Sequence, residues 1–303
     1  MKVELWGLAL PEIKPGDNLP RLLVESADAS CGGMRQGDVL VVTTKVVSKA
    51  WGLVVPLEGV EPSPAARRLA ARSGLDPRFL EVVLQNSAGI ICVVPLYVLL
   101  EEGLINPSTL SDREEAAREV VKRFPCEVFT VSREGEIYSS AGVDSSNHPP
   151  GEVSLLPPDP DAAARQIREE IKKITGIDVP VILSDTEYFL PGPGTIDLAR
   201  GVSGLCPVAR EFGHPDRFGK PKFGGADLVA HELACAAALL MGQTGAGIPA
   251  VLVRGYNFRP GEEGMAAYRL SPAQISRAVK LIIRHSVKVL GLGWLWRLLR
   301  LMA

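Results

Sequence analysis

The sequence predicts an α+β protein. Helix patterns with clear start and stop signals are interspersed with short β-branched runs. The two kinds of segment follow no regular β-α-β rhythm, which argues against a doubly wound parallel sheet. The 303 residues, 46% hydrophobic and 22% charged, have a globular composition and suffice for one large domain or two smaller ones.

Along the chain, GDVLVVTTKVVSK (37–49) opens on a turn and continues as a β-branched run, so a strand is expected. PSPAARRLAARSG (62–74) predicts a helix with Ser63 as N-cap, Pro64 in the first turn and Gly74 at the stop. Residues 80–100, LEVVLQNSAGIICVVPLYVLL, predict buried strands. SDREEAAREVVKRF (111–124) predicts a helix opened by a capping box of Ser111 and Glu114. CEVFTVS (126–132) and GEIYS (135–139) predict a hairpin.

DPDAAARQIREEIKKITG (159–176) predicts a helix capped by Asp159, with Pro160 first and Gly176 at its end. VPVILSD (179–185) is an apolar strand ending on Asp185, and IPAVLVRG (248–255) is another. GGADLVAHELACAAALLMGQ (224–243) is apolar nearly all round, so a buried helix is expected. Residues 186–223 form a long Gly/Pro-rich connection, a length usually reserved for function. SPAQISRAVKLIIRHSVKVLG (271–291) predicts a long amphipathic helix. The last stretch, GWLWRLLRLMA, is read as a helix docking on the protein or on a second subunit, with a membrane surface as the alternative.

The net charge of −2 marks neither a nucleic-acid nor a membrane binder, so any phosphate affinity must be local. The five cysteines share no C-x-x-C spacing and are read as reduced thiols of a cytoplasmic protein. Four histidines, none paired at helical metal spacing, make a zinc site unexpected. The first residues, MKVELWGLALPEIKPGD, do not read as a signal peptide, and no stretch approaches a membrane span.

Asp144 lies in a stiff polar loop, AGVDSSNHPPG, and Asp185 lies in Ser-Asp-Thr at a strand end. Hard cations take oxygen ligands, and a carboxylate beside a hydroxyl meets that need, although either residue alone also makes an ordinary Asx-turn. Lys45 and Lys49 are four apart and share a face, where two like charges repel unless an anion lies between them. A snorkelling surface lysine is the plain alternative. GQTGAGIP (242–249) is either a backbone nest for phosphate or a simple helix C-cap loop. GHPDRFGKP (213–221) has the wrong glycine spacing for a phosphate loop.

Taken together and in order, LPEIKPGD, GDVLVVTTKVVSKA, AGVDSSN, LLPPDPDAAARQIR, VILSDT, ADLVAHELACAAALLMGQ and GIPAVLVRG resemble the coenzyme F-420 gamma-glutamyl ligase family over residues 10–255. The resemblance implies a GTP- and divalent-metal-dependent ligase that adds L-glutamate through a gamma-type amide bond to a small anionic acceptor, a coenzyme F-420 precursor. It implies Mg or Mn, two ions, with a monovalent cation such as K as a further expectation. Asp144 and Asp185 match metal-binding aspartates, and Thr186 and Gln243 match positions at a second metal. Leu10, Pro11, Thr44, Lys45, Lys49 and Asn147 match nucleotide contacts, as does the loop with Met241, Gly242, Gly245 and Gly247. Asp144, Asp185 and Lys49 are the catalytic candidates. An uncommon α+β fold and an intertwined homodimer are implied, with no nucleic-acid partner and no stable membrane insertion.

The chain departs from the family pattern where substrate is expected. After the second aspartate the family reads Asp-Thr-x-Gly-Arg; here the stretch is SDTEYFLPGPG, with Glu187, Tyr188 and Phe189. Arg200, Arg210 and Arg217 are the candidates to replace the missing arginines. The same chemistry on another acceptor, such as a folate, and a nucleotide-binding relative with little turnover are the alternatives. A ligase-like domain is expected over 1–260, with an insertion near 101–135 and a helical extension over 261–303.

Overall fold

Both faces of the main sheet are covered, and the sequence of its central strands shows why. In Val39–Thr43 (VLVVT) every position is apolar except the last. Val39 and Val41 point to one helical layer, and Leu40 and Val42 to the other. A strand buried on both sides needs apolar residues at every position rather than at alternate ones.

The computed structural model describes residues 2–189 and 194–302; the 190–193 part of the SDTEYFLPGPG departure lies outside them, as do the side chains of Phe189, Leu298, Leu299, Leu301 and Met302. The described strands are β1 (Glu4–Leu8), β2 (Val39–Thr43), β3 (Val54–Pro56), β4 (Gly89–Val94), β5 (Glu127–Val131), β6 (Ile137–Ser139), β7 (Glu152–Ser154), β8 (Val181–Phe189), β9 (Gly194–Leu205), β10 (Ala250–Arg254) and β11 (Pro260–Gly261). Six form one mixed sheet in the order β1-β10-β2-β8-β9-β11, in which β2 and β8 are parallel and every other pair is antiparallel. β3 pairs with β7, and β4, β5 and β6 form a three-stranded sheet. One mixed sheet and two antiparallel ones, with helices that follow no repeating β-α-β unit, make this an α+β fold, as expected.

On one face of the main sheet, Leu23 of the helix Leu19–Cys31 and Ile167 and Ile171 of the helix Pro160–Thr175 pack on Leu40, Val42, Val181, Leu183 and Leu252. On the other face, Ala230, Leu233 and Ala237 of the helix Val229–Met241 cover Val39, Val41, Ile182, Val251 and Val253. A buried carboxylate ties these layers together. Asp161 accepts hydrogen bonds from the backbone N–H groups of Val202 (2.8 Å), Met265 (2.9 Å) and Ala266 (2.9 Å). At the same junction the chain passes so close that a Cβ on Gly201 would sit 2.1 Å from the Pro160 carbonyl oxygen, so only glycine fits.

Several expected elements form as read. Ser63 caps the helix Pro64–Ser73, Asp159 caps Pro160–Thr175, and Gly74 and Gly176 end them in the left-handed region. The hairpin of β5 and β6 is present, and Ser271 and Gln274 form a capping box on the helix Pro272–Leu290.

Other expectations are corrected. Residues 37–49 are not one strand: β2 ends at Thr43 and a helix, Thr44–Ala50, follows at once. The first part of 80–100 lies in a helix, Pro77–Gln85, because Asp76 caps it and Pro77 opens it; β4 beyond it is largely exposed. The helix expected from Ser111 begins at Glu114, and the Ser111 hydroxyl accepts from the Arg113 N–H instead. β8 does not stop at Asp185 but runs on to Phe189. The 186–223 connection is not structureless, since the twelve residues of β9 fill much of it. The helix expected over 224–243 starts at Val229 and is buried on one side, leaving Leu239 82% exposed. The expected C-terminal helices are Pro272–Leu290, which contributes no buried residue, and Gly293–Met302.

Candidate functional site

The site forms where β2 and β8 run parallel, with Thr43 opposite Ser184. One residue beyond this pair stand Thr44, opening a helix, and Asp185, continuing a strand. The Thr44 hydroxyl donates to Asp185 Oδ1 at 3.1 Å. The next helical residue, Lys45, reaches a different segment: its ammonium lies 2.8 Å from Asp144 Oδ2 and also donates to the Ser146 hydroxyl. Adjacent residues of one short helix therefore engage the two aspartates predicted to act together. Lys45 and Lys49 share a face through helical rather than strand geometry, since residues four apart are neighbours in both. Lys49 is 6% exposed and donates to Glu12 Oε1 (2.6 Å) and to the Asn147 carbonyl (2.5 Å).

The Asp144 loop is held tightly. Asp144 exchanges two backbone hydrogen bonds with Ser154, and its Oδ1 accepts from the Ser146 N–H at 2.7 Å. Ser140, Ala141 and Asn147 all have left-handed φ values (45°, 56° and 54°). Such strain persists only when surrounding structure enforces it, and it concentrates at functional sites. Gly142, with φ 69°, leaves space that a Cβ would contest with Leu156 Cδ1 at 2.3 Å.

A second oxygen cluster lies beside the first. Thr186 donates to Asp197 Oδ1 (2.9 Å) or Gln243 Oε1 (3.0 Å), and Gln243 Nε2 donates to the same Asp197 oxygen (3.1 Å). Successive strand residues point to opposite faces, so β8 separates Asp185 from Thr186 and presents two clusters rather than one. The loop after the helix Val229–Met241 closes the site. The Leu10 N–H donates to the Gly247 carbonyl (3.1 Å) and Asn147 Nδ2 to the Thr244 carbonyl (3.3 Å). Leu10 and Asn147 thus both meet the 242–247 loop, at Gly247 and Thr244, and form one rim with it. The Met241 side chain turns into the core, so only its main chain faces that rim.

Burial dominates the electrostatics. It pushes the Asp185 carboxyl up to about 7; the nearby Arg200 guanidinium opposes the shift, and the Asp144 charge adds to it. Burial also raises Asp197, against the hydrogen bonds from Thr186 and Gln243. Burial lowers the His148 imidazole, helped by the Lys49 ammonium.

Arg200 reaches the site by a β-bulge. Pairing of β8 with β9 steps from Leu183–Gly201 to Ser184–Ala199, leaving Arg200 with no residue opposite. Bulges of this kind re-aim a side chain. The Arg200 guanidinium lies over the Tyr138 ring at 4.3 Å, donates to Glu187 Oε2 at 2.6 Å, and brings Nε to 4.0 Å from Asp185 Oδ2. Of the three arginines considered as replacements, Arg200 alone meets the aspartates. Arg210 pairs with Glu263 and Tyr268, and Arg217 is on an exposed loop.

Sequence reasoning missed Asp197, Glu12 and Ser146, and it did not find Glu187 as the partner of Arg200. Glu12 sits in the LPEIKPGD segment already singled out, so its signal was present. Asp197 gave none, because its position opposite Thr186 depends on a strand that was read as loop.

The donors Asp144, Asp185, Thr44, Thr186, Asp197 and Gln243 are all oxygens, which fits a hard divalent cation rather than zinc. Among the described residues no group of three or more His, Cys, Asp or Glu has a metal-holding arrangement. Two carboxylates with neighbouring hydroxyls would need phosphate or water oxygens to complete a shell, as magnesium sites commonly do.

A mixed sheet that gathers two aspartates, one buried and one partly exposed lysine and a glycine-rich loop near its strand ends defines an α+β protein whose side chains have the chemistry to hold a polyanion together with a hard cation. The matching family model is F420-0:Gamma-glutamyl ligase, over residues 7–255, and the chain belongs to that family. Relatives named coenzyme F420:L-glutamate ligase include one from Methanopyrus kandleri, 36% identical over 80% of this chain and 83% of the relative. The one from Methanothermobacter thermautotrophicus is 32% identical over 84% and 90%, and that from Archaeoglobus fulgidus is 34% identical over 85% and 89%.

Proposed function

We propose that the chain is a GTP- and divalent-metal-dependent amide-forming ligase that adds L-glutamate, by a gamma-type bond, to the carboxylate of a coenzyme F-420 precursor. The observation that supports it most is the convergence of Asp144, Asp185, Lys45 and Lys49 around the helix Thr44–Ala50, in a member of a ligase family.

A carboxylate is a poor electrophile. Attack of its oxygen on the γ-phosphorus of GTP forms an acyl phosphate and releases GDP; the glutamate amine then attacks the carbonyl carbon and expels phosphate. In such transfers the protein mainly positions groups and balances charge. Lys45 and Lys49 supply positive charge for the phosphates. Asn147 and the loop from Met241 through Gly247, with Leu10 and Pro11, supply the nucleotide rim. Thr44 orients Asp185. Asp144 and Asp185 would hold one cation, and Thr186 and Gln243, joined by Asp197, a second. Bound Mg or Mn would neutralise charge building on the phosphate oxygens. A homodimer is the proposed assembly, checked by light scattering.

One observation favours a second acceptor for the same chemistry, such as a folate. Where the family pattern has Gly-Arg, this chain has Tyr188 and Phe189, and the Glu187 just before them pairs with Arg200. The test is incubation with GTP, Mg or Mn, L-glutamate and a panel of carboxylate acceptors that includes the deazaflavin precursor. Mass spectrometry should find one glutamyl residue added to that precursor. GTP turnover that no acceptor stimulates, with no amide product, would sink the ligase proposal.

A further inference from the structure

We infer that the C-terminal helix pair is a docking surface for an anionic lipid bilayer. The helices Pro272–Leu290 and Gly293–Met302 follow the family match, which ends at residue 255. Residues 271–303 carry six basic residues, Arg277, Lys280, Arg284, Lys288, Arg297 and Arg300, and no acidic one. The rest of the chain holds 27 of the 33 basic residues and all 35 acidic ones, and is net acidic. Positive charge is thus concentrated in one appendage of an acidic protein.

The charge is also sorted by face. Arg277, Lys280, Arg284 and Lys288 recur at helical spacing and form one stripe, while Ile275, Val279, Ile282 and Val289 form the opposite one. The apolar stripe is not covered: Ile282 is 61% exposed and Val289 64%. The helix meets the body at its first turn, where Pro272 and Ile275 approach Gly135. Trp296 in the following helix is 70% exposed.

A helix with an apolar face, a one-sign basic face and flanking tryptophan lies in the plane of an anionic bilayer, apolar side down. A second copy fits less well, because two extensions carrying only positive charge repel. No described helix is long and apolar enough to cross a membrane, consistent with lying on one rather than spanning it.

The test uses the full chain with vesicles of phosphatidylcholine alone and of phosphatidylcholine with phosphatidylglycerol. Each basic residue near an anionic surface contributes about fivefold in partition, so partition into the anionic vesicles should be at least about a hundredfold stronger and should fall with salt. Changing Arg277, Lys280, Arg284 and Lys288 together to Gln should remove that preference. The double variant Ile282→Ser, Val289→Ser should also lose binding with its charge unchanged. Both variants change exposed residues, and circular dichroism should match the parent. Brominated lipid should quench tryptophan emission, and Trp294→Phe with Trp296→Phe should abolish that quenching. Equal partition into both vesicles, or none, overturns the inference. So does an oligomer that Ile282→Ser dissociates without any vesicle binding, which gives the face to a second copy. Duplex DNA binding that matches vesicle binding and ignores Ile282→Ser overturns it too. The ligase proposal stands apart and would survive any of these failures.

Discussion

Thr44 and Asp185 meet just past the parallel pair β2 and β8, where the hydroxyl of one donates to the carboxylate of the other at 3.1 Å. The contact joins the first turn of a short helix to a half-buried acid whose proton affinity is far above that of an ordinary aspartate.

That affinity sets a pH dependence. Burial pushes the folded Asp185 carboxyl up to about 7, against 3.8 for a free aspartate. Between these values the folded chain keeps a proton that the unfolded chain has lost, so stability falls as pH rises through the window and levels off above about 7. Urea unfolding with chelator present, at about pH 4.5 and about pH 8, should show Asp185→Asn losing up to ~3 kcal/mol less than the parent across that range. Parallel curves would mean that the carboxyl is not buried as described. The same variant should lose metal-dependent GTP binding.

Lys45 and Lys49 should separate by phenotype. The Lys45–Asp144 pair is partly exposed, so Lys45→Met should barely move the melting temperature of the free protein. Its nucleotide affinity should fall about ten- to a hundredfold by calorimetry, because a charge-assisted phosphate contact is gone. Lys49→Met removes a buried ammonium that holds the Asn147 carbonyl, so it should also cost about 1–3 kcal/mol of stability.

Arg200 and Glu187 are both buried, and each neutralises the other. Arg200→Met should destabilise by about 3–5 kcal/mol, since an unpaired acid remains inside. Adding Glu187→Gln should recover part of that loss, and a double-mutant cycle in urea measures how much. Strict additivity would mean the two side chains do not interact.

Asp161→Ala should cost at least ~3 kcal/mol, because three backbone N–H groups lose their acceptor. Asn at this position should restore part of the stability, as its oxygen can still accept. The midpoint of a urea transition reads both.

Much of this arrangement was legible in the sequence. Caps such as Ser63 and Asp159 act within four residues, so helix starts that depend on them could be read directly. Asp144, Asp185 and the two lysines were found because their residue types are costly to place in apolar or strained settings without a purpose. The lysines survived a wrong secondary-structure assignment, since residues four apart share a face in helix and strand alike. What stayed hidden was tertiary. The helix Pro77–Gln85 was missed although its Asp76 cap and Pro77 start are local, because they lie just before the stretch read as strand; nothing near Asp197 or Arg200 shows that β9 pairs with β8 through a bulge.

The site draws on Leu10 and Glu12, on Thr44 through Lys49, on Asp144 through Asn147, on Asp185 and on the turn after Met241, and β2 and β8 abut only once the segment between them has folded back. Contacts of such long sequence separation form late and are lost together. Nicking any one connecting loop should therefore extinguish nucleotide binding in a single cooperative step, leaving no fragment with partial affinity.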